Sequence, residues 1–185
     1  AADIGIDTLM FVIGKIEDRF SDAVPWPSQL EATGELLLRL VPMLRERGVR
    51  LALKTHEEIT SSEVVTLVER VGPDVLGGAF DPVNSLCRLE EPVAAATRLA
   101  GCIVQVHADD AVLRFQEGGI RRFLAPIGDG VVDWDAILAL APEADVWIEM
   151  HSGQFLLPVF DGDWLRRQPG IALAEYAAIA GMAAS

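Results

Sequence analysis

Short apolar runs of strand length alternate with amphipathic segments of helical period, and this alternation constrains the fold more than any other feature of the chain. The runs comprise residues 6–14, 49–54, 75–80, 101–106 and 145–148. Nearly continuous apolar runs are typical of strands that are covered on both faces. Strands that alternate with helices pair in parallel through right-handed crossovers. We therefore predict an α/β fold with five parallel strands.

Helix signals fall between these runs. Ser28 and Glu31 form one capping box, and Thr60 and Glu63 form a second, because each pair has the spacing at which the two side chains satisfy each other's backbone N–H groups. Asp133 is predicted to cap a further helix, since an aspartate oxygen can accept the first free backbone N–H groups.

Two stretches lie outside this alternation. Residues 109–130 are polar and rich in glycine, and we predict a long loop there. The tail returns to a helical pattern at residues 172–183. The 185 residues are therefore predicted to form one domain, residues 1–185, with a helical tail.

Composition narrows the classes of partner. The formal net charge of −13 and the pI of about 4.5 disfavour nucleic acid and anionic membranes, because an acidic surface repels phosphate groups. No apolar run approaches the roughly 18 residues of a membrane span. Cys87 and Cys102 have no metal-like spacing, so we predict free thiols and a cytoplasmic location.

Four successive strands end in an ionisable residue. These residues are Lys54, Asp81, His107 and Glu149. In a parallel barrel the carboxyl ends of all strands converge on one mouth, where active sites lie. Asp, His and Glu side chains that meet there suit a hard or borderline divalent cation. The sequence therefore predicts a shared functional site at this edge.

The segments around these residues resemble the xylose isomerase-like barrel superfamily, the sugar phosphate isomerases and epimerases, over residues 50–151. The matching pieces, in family order, are RGVRLALKTHEE, GGAFDPVNSL, VQVHADD, PIGDGVVDWDAIL and VWIEMH. The resemblance implies a (β/α)8 TIM barrel, and the strand at residues 6–14 would be its fourth. Strands 4–8 would then be present and the first βα units absent, so that a longer protein or another chain completes the barrel.

The resemblance also implies roles for single residues. Asp81, His107 and Glu149 would bind Mn²⁺ or Mg²⁺, and His56 and Asn84 would contact a carbohydrate substrate. The implied activity is that of a sugar or polyol isomerase or epimerase, which transfers a proton next to a carbonyl. We add two predictions from the residues themselves. Arg114 is predicted to hold a substrate carboxylate or phosphate, and His151, two residues beyond Glu149, is a candidate for the same pocket.

Lys54 stands where the family has a metal-ligand Glu, and three hypotheses follow. In the first, a cation still binds and a neutral Lys54 acts as a base beside it, with Glu149 as the second catalytic group. This hypothesis includes a lyase or dehydratase acting on a keto-sugar or inosose. In the second, the Lys54 ammonium replaces the cation. In the third, the chain is a non-catalytic barrel subunit or binding module. A homo-oligomer or a partner subunit is a separate expectation that applies to each of the three hypotheses.

Overall fold

A parallel sheet forms the centre of the computed structural model, which describes residues 2–149, 153–168 and 170–185. Within these residues, the sheet contains five strands in the order β1–β2–β3–β4–β7. Their bounds are β1 Thr8–Phe11, β2 Arg50–Lys54, β3 Leu76–Phe80, β4 Ile103–Ala108 and β7 Asp145–Ile148. The sheet curls into a half-barrel. The predicted set of parallel strands is confirmed, with shifts of a few residues at the ends.

Helices follow the strands, as the alternating pattern predicts. The helices of the described residues are α1 Ile16–Arg19, α2 Trp26–Arg47, α3 Ser61–Val71, α4 Pro82–Ser85, α5 Pro92–Leu99, α6 Trp134–Leu140, α7 Gly162–Arg166 and α8 Leu173–Ala184. The predicted caps of α3 and α6 are confirmed, because Thr60 accepts from the backbone N–H of Glu63 and Asp133 accepts from that of Ala136. The predicted tail helix is confirmed as α8.

The capping box predicted at Ser28 and Glu31 is wrong. Helix α2 begins earlier, at Trp26, with Pro25 at the N-cap position and another proline in its first turn. Proline is well suited to a first helical turn, since its fixed φ matches the helix and its missing N–H would have no partner there. The pair of prolines therefore sets this end of the helix, and the serine lies inside it.

The apolar helix faces pack on the outer surface of the sheet. Helix α3 contacts β3 and α5, and its Val64 and Val68 are fully or almost fully buried. They belong to the main core, together with Leu53 and Phe80 from the strands. This core holds the strands at the spacing that positions their carboxyl ends.

The predicted loop at residues 109–130 is wrong, because most of this stretch forms an antiparallel hairpin of β5 (Asp110–Gln116) and β6 (Gly119–Ala125). A short strand, β8 (Phe155–Leu157), joins β6 and completes a second sheet. A methyl group at Gly119 would overlap the carbonyl oxygen of Leu157, so the approach of β8 requires glycine there. Helix α8 packs on β5 over a second, smaller core.

The edges of the parallel sheet carry exposed apolar side chains. Met10 on β1 and Val146, Trp147 and Ile148 on β7 are all about half exposed or more. Unpaired strand edges with apolar side chains are surfaces on which further strands can pair. None of the helices in the described part of the chain has the length and apolar character that crossing a bilayer requires.

Candidate functional site

The strand register brings the four predicted strand-end residues to one edge of the sheet. Lys54 pairs with Ala79 two residues before Asp81, and Phe80 pairs with Val106 one residue before His107. His107 in turn pairs with Trp147, two residues before Glu149. His107 lies inside β4 rather than after it, because this strand runs to Ala108.

These four residues form one connected group, which we call the rim cluster (Lys54, Asp81, His107 and Glu149). The Nζ atom of Lys54 lies 3.1 Å from Oδ2 of Asp81 and donates a hydrogen bond to Oε2 of Glu149. The same Oε2 atom lies 2.7 Å from Nδ1 of His107. A carboxylate accepts only, so Nδ1 of His107 carries the proton in this contact. Residues far apart in sequence therefore share a single hydrogen-bonded network.

Asp81 is held rigidly within this network. Its backbone N–H donates to Oγ1 of Thr55 at 2.8 Å, so the ends of β2 and β3 are clamped together. Its Oδ1 atom accepts from the backbone N–H of Asn84, at the start of α4, and its Oδ2 atom accepts from Nδ2 of Asn84 at 2.6 Å. Asp81 is fully buried, and these contacts set the direction of its carboxylate toward Lys54.

The contacts favour the charged forms of the lysine and the glutamate. The hydrogen bond from His107 lowers the pKa of Glu149 to about 2. Partial burial opposes this shift, and the hydrogen bond and charge of Lys54 reinforce it. Burial alone would lower the pKa of Lys54, but Asp81 and Glu149 together outweigh it, and the pKa is raised. Lys54 is therefore an ammonium ion at neutral pH in this arrangement.

Two concave spaces adjoin the rim cluster. The larger, an open cavity of about 520 Å³, is lined by Lys54, His107 and Glu149, with Met10 and Trp147 among its other walls. Its size is that of an ordinary small-molecule site. The rim cluster thus presents its polar atoms to a space that a small molecule can enter.

Glu149 also borders the smaller space, of about 300 Å³, which Asp109, Ile127 and Ile148 help to line. Burial raises the pKa of Asp109 well above its usual range, and the carboxylates of Asp81 and Glu149 add to the effect. The lining of the smaller space therefore combines carboxyl groups, of which Asp109 keeps its proton at neutral pH, with apolar side chains.

Asp110, which also lines the smaller space, anchors the loop between β6 and α6. Its carboxylate accepts from the backbone N–H groups of Gly128, Gly130 and Val132, and also from that of Ala111. It is fully buried, so each of these charge-assisted bonds replaces hydration that the carboxylate has lost. The loop that walls the smaller space is consequently fixed to the first residue of β5.

The remaining predicted site residues fall in different places. Asn84 is buried against Asp81, as described above. His56 is partly exposed and pairs with Glu58, with 2.6 Å between Nδ1 and Oε2. Arg114 is exposed on the hairpin and donates to the carbonyl of Leu113. His151 lies outside the described residues. The roles predicted for these residues stay predictions.

Arg122 is a buried arginine within the stretch that we predicted to be a loop. It lies on β6, is 1% exposed, and donates through Nη1 to Oδ1 of Asn84 at 3.1 Å and to the carbonyl of Val83 at 3.3 Å. The sequence signal that would have found it is the glycine pair at residues 118–119, flanked by alternating apolar residues, which is typical of a hairpin.

The family resemblance implies a divalent cation bound by Asp81, His107 and Glu149. The oxygens of Asp81 and Glu149 that a cation would need both point at the Lys54 nitrogen. At about 4 Å and an effective dielectric constant of about 20, a monovalent and a divalent cation repel by roughly 8 kcal/mol. The residues as arranged do not fit a divalent cation. The metal role predicted for Asp81, His107 and Glu149 stays a prediction, and this geometry does not support it.

Comparison with known proteins gives one family match. The model of the xylose isomerase-like TIM barrel family matches residues 1–163, which is most of the chain. This match and the parallel half-barrel confirm the predicted fold class, an incomplete (β/α)8 barrel of the xylose isomerase-like type.

Individual relatives add detail. The chain is 30% identical over 124 residues to 3-oxo-isoapionate decarboxylase of Pectobacterium atrosepticum, and the match covers 66% of this chain and 45% of that protein. The chain therefore spans less than half the length of this curated relative. A xylose isomerase-like protein from Mycobacterium smegmatis, solved in complex with magnesium, has a TM-score of 0.64 at 17% identity and covers 96% of this chain and 65% of its own. An L-ribulose 3-epimerase has a TM-score of 0.62 at 19% identity, with coverages of 98% and 62%. These two structures support the fold alone.

Proposed function

The chain belongs to the xylose isomerase-like TIM barrel family, and on that basis we propose that it provides the active-site half of an enzyme acting on a small polyhydroxylated carbonyl compound. The proposed chemistry takes place at the carbon next to the carbonyl and passes through an enolate. The observation that carries this proposal is the contact of a buried ammonium with two carboxylates at the edge of an open cavity.

Lys54 is the proposed oxyanion-stabilising group. An ammonium has three N–H donors, and Asp81 and Glu149 engage two of them. The third is available to a carbonyl oxygen in the cavity that Lys54 lines. As an enolate forms, negative charge develops on that oxygen, and a fixed positive charge nearby stabilises it without reorganisation.

His107 is the proposed proton-transfer group. Its Nδ1 atom is fixed by Glu149, so the other ring nitrogen is available to a substrate, and the side chain lines the cavity. Glu149 was predicted to be catalytic, but its Oε2 atom accepts from both His107 and Lys54. We therefore assign Glu149 the role of orienting those two groups, which is the usual task of a carboxylate hydrogen-bonded to a histidine.

Isomerisation or epimerisation is the first candidate reaction. His107 would remove a proton from the carbon next to the carbonyl, and the electron pair would move onto the carbonyl oxygen beside Lys54. An isomer forms when the proton returns to the former carbonyl carbon and the proton of the adjacent hydroxyl moves to the oxygen beside Lys54. An epimer forms when a water molecule on the opposite face supplies a proton to the original carbon. The structural likeness to an L-ribulose 3-epimerase supports a fold on which such chemistry occurs.

Decarboxylation of a 3-oxo acid is the second candidate, and the likeness to 3-oxo-isoapionate decarboxylase favours it. Here the bond to the carboxylate breaks, CO₂ leaves, and its electron pair forms the same enolate beside Lys54. For this reaction His107 would enter as the imidazolium, with a proton taken from water on its outer ring nitrogen, and would give that proton to the carbon. Both candidate reactions need a positive charge beside the oxygen of the enolate, and the Lys54 ammonium provides it. A keto-sugar or inosose dehydratase would begin with the same proton removal.

The surroundings of the site complete the proposal. The exposed edges β1 and β7 are the surfaces on which further strands would close the barrel, whether these come from the same polypeptide or from a second copy or partner subunit. Cys87 and Cys102 are free thiols, which supports the predicted cytoplasmic location. The acidic composition supports a small carbohydrate substrate rather than nucleic acid.

Deuterium exchange and CO₂ release test the proposal directly. The protein is incubated in D₂O with ketoses and inososes, and hydrogen loss next to the carbonyl is followed by NMR. 3-Oxo sugar acids are assayed separately for CO₂. We expect turnover in one arm and a loss of about a hundredfold or more in kcat for His107→Gln. Arg121→Gln, a change at a partly exposed side chain of β6 that bonds Gln116, should retain activity. Folded protein that gives neither exchange nor CO₂ would contradict the proposal and leave the non-catalytic subunit.

A further inference from the structure

We infer that Lys54 is a built-in cation that takes the place of a divalent metal ion, so that the site works without metal and one substitution converts it into a metal site. This inference concerns the same site as the proposed function. It stands on contacts within the rim cluster and does not depend on which reaction the protein carries out.

The position of the lysine nitrogen is the first support. Nζ contacts both Oδ2 of Asp81 and Oε2 of Glu149, two residues that directly follow the strands on either side of β4. Each of these oxygens also accepts a second hydrogen bond, from Asn84 and His107 respectively. The carboxylates are thus already oriented toward a single central positive charge, and the lysine supplies it.

Burial is the second support. The Lys54 side chain is 5% exposed and that of Asp81 is fully buried. Two carboxylates, one fully buried and one partly buried, contact the same point and would repel each other without a cation between them, so this geometry needs a positive charge at its centre. The ammonium meets that need with one charge and three directional donors. It leaves the three residues Lys54, Asp81 and Glu149 with a net charge of −1.

The chemistry of the remaining donors is the third support. Lys54→Glu would remove the ammonium and place a third carboxylate beside Asp81, Glu149 and the imidazole of His107. Three carboxylates and an imidazole are a ligand set suited to Mn²⁺. Without an ion they would repel one another, so this variant should bind Mn²⁺ where the parent protein does not.

The test uses Mn²⁺ alone as the probe. Its binding to the metal-free wild-type protein and to the metal-free Lys54→Glu variant is measured by calorimetry and by the EPR signal of free Mn²⁺. We expect binding at least about a hundredfold tighter in the variant than in the wild type. Excess Mn²⁺ should also raise the thermal midpoint of Lys54→Glu by about 5 °C or more and leave that of the wild type unchanged. Adding Asp81→Asn to the variant should abolish the gain, and Asp74→Asn, an exposed change elsewhere, should preserve it.

Two outcomes would overturn the inference. One is stoichiometric Mn²⁺ binding to the wild type that Asp81→Asn removes. The other is a folded Lys54→Glu variant, judged by circular dichroism, that binds no more Mn²⁺ than the wild type. If Lys54→Glu does not fold, Lys54→Gln replaces it. This neutral side chain removes the repulsion and should still bind Mn²⁺ more tightly than the wild type, so equal binding would likewise overturn the inference.

The result is separable from the proposed function. An inactive protein whose Lys54→Glu variant gains Mn²⁺ would refute the proposed activity and support the built-in cation. A wild-type protein that turns over substrate only with Mn²⁺ would support the proposed activity and refute the built-in cation. Activity that persists after treatment with EDTA would agree with both.

Discussion

Nη1 of Arg122 donates to Oδ1 of Asn84 at 3.1 Å, and the opposite end of the same amide donates to Asp81 at 2.6 Å. An amide held at both ends has a fixed orientation, because rotating it would place two donors together and two acceptors together. A hairpin residue therefore sets the orientation of the group that directs Asp81 toward Lys54. The rim cluster is consequently continuous with the second sheet.

This relationship predicts energetic coupling between the two residues. Arg122→Met should lower the free energy of unfolding by about 3 kcal/mol, because it leaves buried acceptors on Asn84 and Val83 without their donor. In an Asn84→Ala background the same change should cost about 1 kcal/mol less, as expected for residues in one network. Urea unfolding of the double-mutant cycle measures both values. Arg121→Met, next along the strand, is the control, and equal losses for the two arginines would contradict the prediction.

The clamp between β2 and β3 predicts a cost for removing one hydroxyl group. Thr55→Val keeps the shape of the side chain but leaves the buried backbone N–H of Asp81 without its acceptor. We expect a loss of about 1–3 kcal/mol in the free energy of unfolding. Thr97→Val provides the comparison, since its hydroxyl bonds an exposed helix carbonyl and should matter little. A similar result for both valines would show that the clamp is weak.

The Asp110 anchor predicts that Gly130 does not tolerate a side chain. The methyl group of Gly130→Ala would overlap the Asp110 carboxylate and the carbonyl oxygen of Ala111, so the loop must move and hydrogen bonds must break. Thermal and urea unfolding should show a loss of about 2–3 kcal/mol. Gly181→Ala in α8 meets no neighbouring atoms and should instead add about 0.5–1 kcal/mol. A stabilising Gly130→Ala would rule out the anchor as described.

His56 predicts a pH-dependent contribution to stability. The hydrogen bond to Glu58 raises the pKa of His56 above 6.5 despite partial burial, so the folded state holds the proton more tightly than the unfolded state. The added stability is present in full below pH 6.5 and disappears as the pH rises through the raised pKa. The loss of unfolding free energy caused by His56→Gln should therefore be larger at pH 5.5 than at pH 9. NMR titration of the His56 ring checks the shift itself, and a pKa at or below 6.5 would contradict it.

Local patterns in the sequence were sufficient to predict the parallel strands and the convergence of four strand ends at one edge of the sheet. The apolar run that ends at Lys54 and the Thr60 cap that follows it depend on neighbouring residues, so periodicity and capping chemistry reveal them. The family resemblance then identified the barrel. The hairpin at residues 110–125 was missed because its glycines and charged residues were interpreted as loop signals, and the packing of β8 and α8 against it depends on residues far along the chain.

The sequence by itself determined where the charged residues stand along the strands, since the alternation of strands and helices brings parallel strand ends to one edge. Only the tertiary structure decided what those charges do. It placed the Lys54 nitrogen between Asp81 and Glu149 and buried Arg122 behind Asn84. The reason is physical. The position of a strand follows from local periodicity, whereas hydrogen-bond partners and burial depend on segments that are distant in the chain. Because an unpaired polar group costs more free energy when it is buried, each such pairing contributes strongly to the stability of this arrangement.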